Sequence, residues 1–329
     1  MLGYCVNLLC STTGVAGDHD VWRVMIAAGL VMPVLLVVIS MTVMPESPRW
    51  LVANGRHQEA EYILRRTHPA GEDVHAVVEG IRREMDAAAK GDPVSWKSML
   101  CPSKDVAKML LIGVGIAVAQ QLNGSESIVA YAPVIFERAG MAGRSESEDL
   151  FAATVLVGTV KASFVLVAAL KADSWGRRPL LLISTSSMTV ALTVLALSSL
   201  PTFACGWLSV LSVCCFMATF SIGVGPMTWL MAAEAFTSPY RAKGMSLATF
   251  ANRFTSGLVA LTFLPLSQAL GGQAQYFAVY ACLTLGTAIW MIRVAPETKG
   301  QTLEEIHEKV GMKDFMDQDA EEPAPGSRF

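Results

Sequence analysis

The apolar residues of this 329-residue chain are gathered into long runs that short polar segments separate. A helix needs about 20 consecutive apolar residues to cross the hydrocarbon core of a bilayer. Most of the runs approach or exceed that length and therefore predict membrane-spanning helices, with a partial helix in the first run. Glycine and proline inside them are compatible with this, because neighbouring helices satisfy the freed backbone groups in a membrane. The runs cover 1–13, 21–44, 108–135, 151–170, 179–200, 206–235, 243–270 and 275–295.

Polar segments divide the chain into four predicted regions. Within 45–107, the stretches EAEYILRRTH and VHAVVEGIRREM place apolar residues at i, i+3 and i+4, which predicts short amphipathic helices near a membrane surface. We therefore expect the last part of one helical bundle at 1–44, a cytoplasmic loop at 45–107, a complete six-helix bundle at 108–295 and a cytoplasmic tail at 296–329.

Basic residues fix the predicted orientation of these spans. The segments 45–107, 171–178 and 237–243 hold nine, three and two lysines or arginines. The alternate segments 14–20, 201–205 and 271–274 hold none, and 136–150 holds only Arg138 and Arg144. Because lysine and arginine are retained on the cytoplasmic side of a membrane, the basic segments are predicted to be cytoplasmic. Every span then alternates in direction.

Composition agrees with an all-α, multi-pass membrane protein. Hydrophobic residues make up 53% of the chain and charged residues 16%, against about 25% charged residues in a typical soluble domain. Seven scattered cysteines form no CxxC pair and five histidines form no ligand pattern, so neither a metal nor another cofactor is expected. The sequence shows no arrangement of a nucleophile with a base, which argues against an enzyme. Nucleic acid is not an expected partner.

The stretch QQLNGSESIVAY at 120–131 places polar groups inside an apolar run. Gln120, Asn123, Ser127 and Tyr131 fall within about 80° of one another on a helix. A hydrated cavity would accommodate such a stripe, and hydroxyl-rich ligands require amide donors and acceptors with an aromatic face. The alternative is hydrogen bonding between packed helices.

Two ionisable residues are predicted at the same depth in the membrane. Glu126 lies nine residues before residue 135, and Lys161 lies ten residues after residue 151, so both are about 15 Å from the same outer loop. Since intramembrane charges usually pair or serve function, an ion pair between Glu126 and Lys161 is expected. The alternative is a structural tie that does not contact substrate.

Four motifs place opposite charges together at the cytoplasmic ends of the spans. A guanidinium can bridge carboxylates and so hold one conformation, whereas each motif alone could be ordinary membrane anchoring. The motifs are PESPRWL with Glu46 and Arg49, DSWGRRP with Asp173, Arg177 and Arg178, EAFTSPYR with Glu234 and Arg241, and PETKG with Glu297.

With QQxxG and GPxxW added, these motifs make the chain resemble the sugar porter family of the major facilitator superfamily. The resemblance covers residue 1 to about 310, and GTVKASFVLVAAL, ATFSIGVGPMTWL and ANRFTSG are most similar to plant-type polyol and inositol transporters. It implies the major facilitator fold, with a complete C-terminal six-helix bundle preceded by one and a half helices of the N-terminal bundle.

The resemblance also implies a substrate site at particular residues. Gln120 and Gln121 match a pair of glutamines that bind sugar hydroxyls, and Trp229 matches a tryptophan beneath the sugar ring. Asn252 matches an asparagine of the eleventh helix. Glu126 stands where polyol carriers typically have aspartate. Ser221 stands where many glucose carriers have glutamate, so that carboxylate is absent.

The function implied is secondary transport of a monosaccharide, polyol or inositol by alternating access, coupled to protons. The expected membrane is the plasma membrane, with the vacuolar or another internal membrane as the alternative. An N-terminal truncation is expected, so this form alone is predicted not to transport. A different class of function therefore stays open, in which the chain is a non-transporting product that acts as a sensor or binding partner.

Overall fold

The computed structural model describes residues 21–68, 73–90, 95–141, 146–200, 202–203 and 205–296. Every regular element within these residues is helical. The predicted span 1–13 and all of the predicted tail after Pro296 lie outside the described residues. The described chain divides into two compact units, one at Trp22–Ser95 and one that begins at Trp96. The four predicted region boundaries stay a prediction.

The first unit contains an apolar segment followed by short helices of the predicted polar loop. The side chains of Leu51, Val52, Ala60, Leu64 and Val78 form its small buried core. The amphipathic spacing seen in the sequence therefore accounts for its packing. Its helices are α1 (Val21–Gly29), α2 (Val31–Thr42), α3 (Pro48–Ala53), α4 (His57–Thr67) and α5 (Val74–Lys90).

One ion pair stabilises the start of α4. Arg56 Nε and Nη2 donate to the two carboxylate oxygens of Glu59 at 2.7 and 2.6 Å. The hydrogen bond to Glu59 raises the pKa of Arg56 above its ordinary value. The guanidinium also lies 5.9 Å from the ring centroid of Trp50, which joins α3 to α4.

The second unit holds six membrane-length apolar helices in the described part of the chain. They lie at Lys104–Ala130, Ala152–Lys171, Arg177–Ser198, Gly206–Ala235, Pro239–Ala269 and Gln273–Val294. The six spans predicted between residues 108 and 295 are confirmed to within a few residues. The underlying helices are α6 (Trp96–Leu100), α7 (Lys104–Leu122), α8 (Ser125–Ala130), α9 (Ala132–Phe136), α10 (Glu146–Trp175), α11 (Arg177–Ser198), α12 (Gly206–Ile222), α13 (Val224–Ala235), α14 (Ser238–Ala269) and α15 (Gln273–Val294), with a π-helical turn at Glu137–Met141.

Apolar side chains form both the core and the outer surface of this unit. α11 packs against α12 and α15, and α7 packs against α13 and α14. The core is continuous across these helices. On the outer face of α11, Ile183, Val190 and Leu197 recur every seven residues and are 64%, 64% and 51% exposed. An apolar outer face of this kind is suited to lipid rather than water.

Two of the predicted spans are interrupted by glycine. α7 ends at Leu122 and α8 begins at Ser125, and Gly124 between them has φ of +79°. This left-handed conformation is accessible to glycine without a steric penalty. α12 ends at Ile222 and α13 begins at Val224, with Gly223 at the break. Broken helices are found in transporters where the backbone lines a substrate or ion site.

Candidate functional site

Two side-chain amides from α7 and one from α14 meet inside the second unit. Asn252 is fully buried, and its Nδ2 donates to Gln120 Oε1 at 2.8 Å and to the Ala117 carbonyl at 2.7 Å. Gln121 Nε2 donates to Asn252 Oδ1 at 3.1 Å. The structure therefore brings together three of the five predicted substrate-binding residues, and we name Gln120, Gln121 and Asn252 the amide cluster.

The amide cluster is also tied to the break between α12 and α13. Gln120 Nε2 donates to the carbonyl oxygens of Val224 and Gly225 at 3.1 and 3.0 Å. These carbonyls belong to the first turn of α13, and the bonds fix the orientation of the Gln120 amide. The cluster thus joins three of the membrane-spanning segments.

The side-chain carbonyl oxygen of Gln121, Oε1, is buried, and it accepts no hydrogen bond from the described part of the protein. The hydroxyl oxygens of Ser125 and Ser221 are likewise buried and have no hydrogen-bond partner among the described residues. Leaving a buried polar group without a partner costs about 1–3 kcal/mol. A ligand hydroxyl can donate to each of these oxygens, which is the chemistry that a polyhydroxylated molecule offers.

The remaining polar residues of the stripe bond within the protein. Asn123 Oδ1 accepts a hydrogen bond from the Ser125 amide at 2.9 Å, next to the helix break. Ser127 Oγ donates to the Val259 carbonyl at 2.9 Å, and Tyr131 Oη donates to the Ala260 carbonyl at 3.4 Å. For Ser127 and Tyr131, the alternative of hydrogen bonding between helices describes what is seen.

Glu126 and Lys161 are both half-buried, on α8 and α10. Among the described side chains, no ion pair within 4.0 Å joins them. The Lys161 ammonium instead lies 5.9 Å from the ring centroid of Phe220 on α12, in a cation–π geometry. The Glu126–Lys161 ion pair is not formed in this structure, and a shared role of the two residues stays a prediction. Trp229 is also half-buried, on α13, four residues after the carbonyl of Gly225 that Gln120 contacts.

Three arginines of the predicted charge motifs make bonds between or within elements. Arg177 Nη2 lies 3.7 Å from Glu234 Oε1, and these side chains are only 16% and 19% exposed. Arg178 Nη2 donates to the Ile292 carbonyl near the end of α15 at 2.7 Å. Arg241 Nε donates to the Phe236 carbonyl at 3.3 Å.

The other four motif residues are only partly described. Glu46 and Arg49 are exposed, and both belong to the first unit. Asp173 lies on α10, but its side chain is not among those described, and Glu297 lies outside the described residues. Their predicted roles stay predictions.

Two apolar cavities lie away from the amide cluster. One, of about 470 Å³, lies between α7 and α15 and includes Gly115, Gly286 and Trp290 in its lining. The other, of about 340 Å³, lies between α11 and α12 and includes Val190 and Leu211. Their linings contain no charged group and no amide, so neither cavity matches the chemistry of a hydroxyl-rich ligand.

Reasoning from the sequence missed two residues that shape this site. Gly223 forms the break between α12 and α13, and the buried hydroxyl of Ser184 on α11 bonds to both sides of it. The run IGVGP, with two glycines and a proline in five residues, is a signal for such a break. Nothing local in the sequence indicates Ser184.

Known proteins are similar to this chain in sequence and in structure. A model of the family described as "Sugar (and other) transporter" matches residues 1–310. Probable polyol transporter 4 of Arabidopsis thaliana is 37% identical over 310 residues, which cover 93% of this chain and 57% of that protein. The D-xylose-proton symporter of Escherichia coli (strain K12) is 30% identical over 313 residues, covering 93% and 61%.

A solved structure extends the comparison to three dimensions. The proton:xylose symporter XylE of the major facilitator superfamily, bound to 6-bromo-6-deoxy-D-glucose, matches with a TM-score of 0.74 and 28% identity. The match covers 93% of this chain and 63% of XylE. The chain therefore spans about three fifths of the length of the relatives that it matches.

Proposed function

This chain belongs to the Sugar (and other) transporter family and has the major facilitator fold, and from that premise we propose that it takes part in membrane transport of a polyol or monosaccharide. The family is one of transporters, so the chain is not an enzyme. The six apolar helices make it an integral, multi-pass membrane protein. The plasma membrane is the proposed location.

The observation that carries the proposal is the unpaired carbonyl oxygen of Gln121. It lies in the amide cluster, next to the break between α7 and α8, inside a membrane-spanning segment. The cost of leaving such an acceptor unpaired is recovered when a ligand hydroxyl donates to it. The similarity to polyol transporters of Arabidopsis thaliana favours a polyol as the ligand of this chain over other hydroxylated molecules.

Proton coupling is the second element of the proposal. Glu126 and Lys161 are the half-buried acid and base in the same membrane-spanning region, and ionisable residues inside a membrane commonly belong to proton relays. A change of conformation that brings them together would connect substrate occupancy to protonation. The D-xylose-proton symporter among the relatives supports this element.

Uptake and binding by the purified 329-residue chain test the proposal. Binding of sorbitol, mannitol, myo-inositol, D-xylose and D-glucose is measured in detergent, and uptake is measured in proteoliposomes with and without an inward proton gradient. We expect at least one polyol to bind, and Gln121→Ala to weaken its binding. Gln268→Ala removes an exposed glutamine of α14 and serves as the matched control.

The outcomes separate the elements of the proposal. If no compound of the panel binds, the proposed substrate class is wrong. Binding without uptake is the result predicted for the 329-residue chain alone and supports the substrate class, whereas uptake that ignores the gradient contradicts proton coupling. If Glu126→Gln and Lys161→Met each leave the pH dependence unchanged in an active form, these two residues do not carry the proton.

A further inference from the structure

Ser184 lies on α11, which contains none of the predicted substrate-binding residues, and it is 3% exposed. Its hydroxyl donates to the Thr219 carbonyl near the end of α12 at 2.6 Å and accepts from the Val224 amide, the first of α13, at 3.1 Å. We propose that Ser184 is a positioning residue for the substrate site. The inference rests on the proposed function, because it assigns to Ser184 the placement of the amide cluster that would bind the ligand.

The break between α12 and α13 needs these two bonds. In an unbroken helix the Val224 amide would donate to the carbonyl four residues earlier, and Pro226 has no amide hydrogen to continue the ladder. Ser184 supplies an acceptor for the amide on one side of the break and a donor for a carbonyl on the other. The Thr219 carbonyl also accepts the Gly223 amide at 3.4 Å, so the hydroxyl replaces the helical acceptor of Val224 and adds a second donor at Thr219.

Close packing holds α11 against the break. A Cβ atom added to Gly223 would lie 2.4 Å from the Leu180 carbonyl oxygen and 2.4 Å from Ser184 Cβ. Because backbone and side chain of α11 fill this space, the position of the Ser184 hydroxyl relative to Val224 is fixed. The contact transfers the placement of α11 directly to the first turn of α13.

A chain of hydrogen bonds leads from Ser184 to the amide cluster. Val224, whose amide donates to Ser184, offers its carbonyl to Gln120 Nε2 at 3.1 Å. Gln120 Oε1 accepts from Asn252, and Asn252 Oδ1 accepts from Gln121 Nε2. The chain ends at Gln121 Oε1, which is buried and accepts no bond from the described residues.

This connection has a physical consequence for ligand binding. If Ser184 loses its hydroxyl, the Val224 amide is left unpaired, and the first turn of α13 shifts to find another acceptor. The Val224 carbonyl moves with it, so Gln120 and then Gln121 lose their fixed orientations. An amide that must be ordered by the ligand binds it less tightly than one that is already ordered.

The experiment compares three variants of the purified full chain. Ser184→Ala removes both bonds, and Ser184→Cys keeps a side chain of similar size with a weak donor and acceptor. Ser198→Ala is the matched control, because Ser198 is a fully buried serine of the same helix, 14 residues away, whose hydroxyl bonds to Leu195 and Ser209 rather than to the break. Binding of sorbitol, myo-inositol and D-xylose is measured by calorimetry, together with the melting temperature.

We expect Ser184→Ala to raise the Kd of the bound compound about tenfold, which corresponds to about 1.4 kcal/mol of binding free energy. Ser184→Cys should fall between Ser184→Ala and the wild type, and Ser198→Ala should leave the Kd within twofold while lowering the melting temperature comparably. Hydrogen–deuterium exchange at the Val224 amide should accelerate in Ser184→Ala.

Each result decides the inference. If the wild type binds and Ser184→Ala changes the Kd by no more than Ser198→Ala does, Ser184 does not position the site, and the proposed function stands. If the wild type binds no compound of the panel, the proposed function fails and the inference fails with it. If Ser184→Ala does not fold, Ser184→Cys decides, and failure of both variants to fold shows a purely structural role.

Discussion

The Asn252 amide nitrogen lies 2.8 Å from the carbonyl oxygen of Gln120, and this bond connects residues 132 positions apart in the chain. The same nitrogen reaches the Ala117 carbonyl at 2.7 Å. Asn252 thus holds α14 against α7 through both of its amide hydrogens. Its oxygen is used as well, because it accepts from Gln121.

Replacement of Asn252 by leucine should destabilise the second unit by about 1–3 kcal/mol, since hydrogen bonds between membrane helices contribute about 0.6 kcal/mol on average and up to about 1.7. The substitution keeps the branching at Cγ, with a larger side chain, and removes three bonds. Thermal unfolding of the purified chain in detergent measures the change. Thr249→Val, at an exposed threonine of the same helix whose hydroxyl bonds only to the Met245 carbonyl, is the control and should be nearly neutral. Equal melting temperatures for the two variants would contradict the prediction.

Gly124 and Gly257 should respond to alanine with opposite signs. Gly124 has φ of +79°, and its added Cβ would lie 2.7 Å from Tyr280 Cδ1, whereas Gly257 on α14 has no neighbour within 4 Å. The left-handed conformation alone costs an alanine about 1–2 kcal/mol, and the clash adds to it. Gly257→Ala should instead stabilise its helix by up to about 1 kcal/mol.

The double variant Gly124→Ala with Tyr280→Ala separates the two causes. It should relieve the steric part of the Gly124→Ala effect and leave the backbone part, as measured by melting temperature against Tyr280→Ala alone. A Gly124→Ala variant as stable as the wild type would show that the break between α7 and α8 relaxes without cost.

The spans were predictable because the length of each apolar run can be compared directly with the thickness of a bilayer. The run 206–235 was predicted as one span, and the structure has Gly206–Ala235. Within it, the break at Gly223 was not foreseen, since hydropathy does not depend on backbone conformation. What stabilises that break is a hydroxyl on another helix, and hydropathy contains no information about such a partner.

Three residues of the amide cluster were indicated by the sequence, but the bonds between them were not. Gln120, Gln121 and Asn252 were each indicated by resemblance, but the bonds between α7 and α14 depend on how these helices are rotated. The depth count for Glu126 and Lys161 shows the same limit, because equal depth does not specify the direction in which a side chain points. Lys161 lies instead over the ring of Phe220.

Arg177 and Glu234 should show a measurable coupling in a double-mutant cycle. The pair is 3.7 Å apart with side chains 16% and 19% exposed, so we expect about 0.5–1 kcal/mol between Arg177→Gln and Glu234→Gln. The free energy of unfolding is measured for the wild type, the two single variants and the double variant, at low salt and again in 1 M salt. The Debye length in 1 M salt is about 3 Å, so the coupling should be smaller there. The exposed pair Arg56–Glu59 is the comparison and should couple more weakly. Strictly additive effects of the two substitutions would contradict the prediction.

Phe236 should act as the contact that fixes α7 against α14, at Gly113 in the middle of α7 and Gly244 near the start of α14. A Cβ added to Gly113 would lie 2.5 Å from its Cε2 and Cζ, and one added to Gly244 would lie 2.5 Å from its Cδ1 and Cε1. The ring is fully buried, at 1% exposure. Phe236→Ala should therefore cost about 3–5 kcal/mol, as for other buried aromatic residues.

Substitution of Gly113 by alanine tests the contact with Phe236 directly. Gly113→Ala alone and Phe236→Leu alone should each lower the melting temperature. When Gly113→Ala is already present, Phe236→Leu should lower it less, because the smaller side chain makes room for the methyl group. Gly286→Ala on α15, with nothing within 4 Å of its added Cβ, is the matched control and should not lower it. If Phe236→Leu and Gly113→Ala add without compensation, the ring is not what excludes a side chain at Gly113.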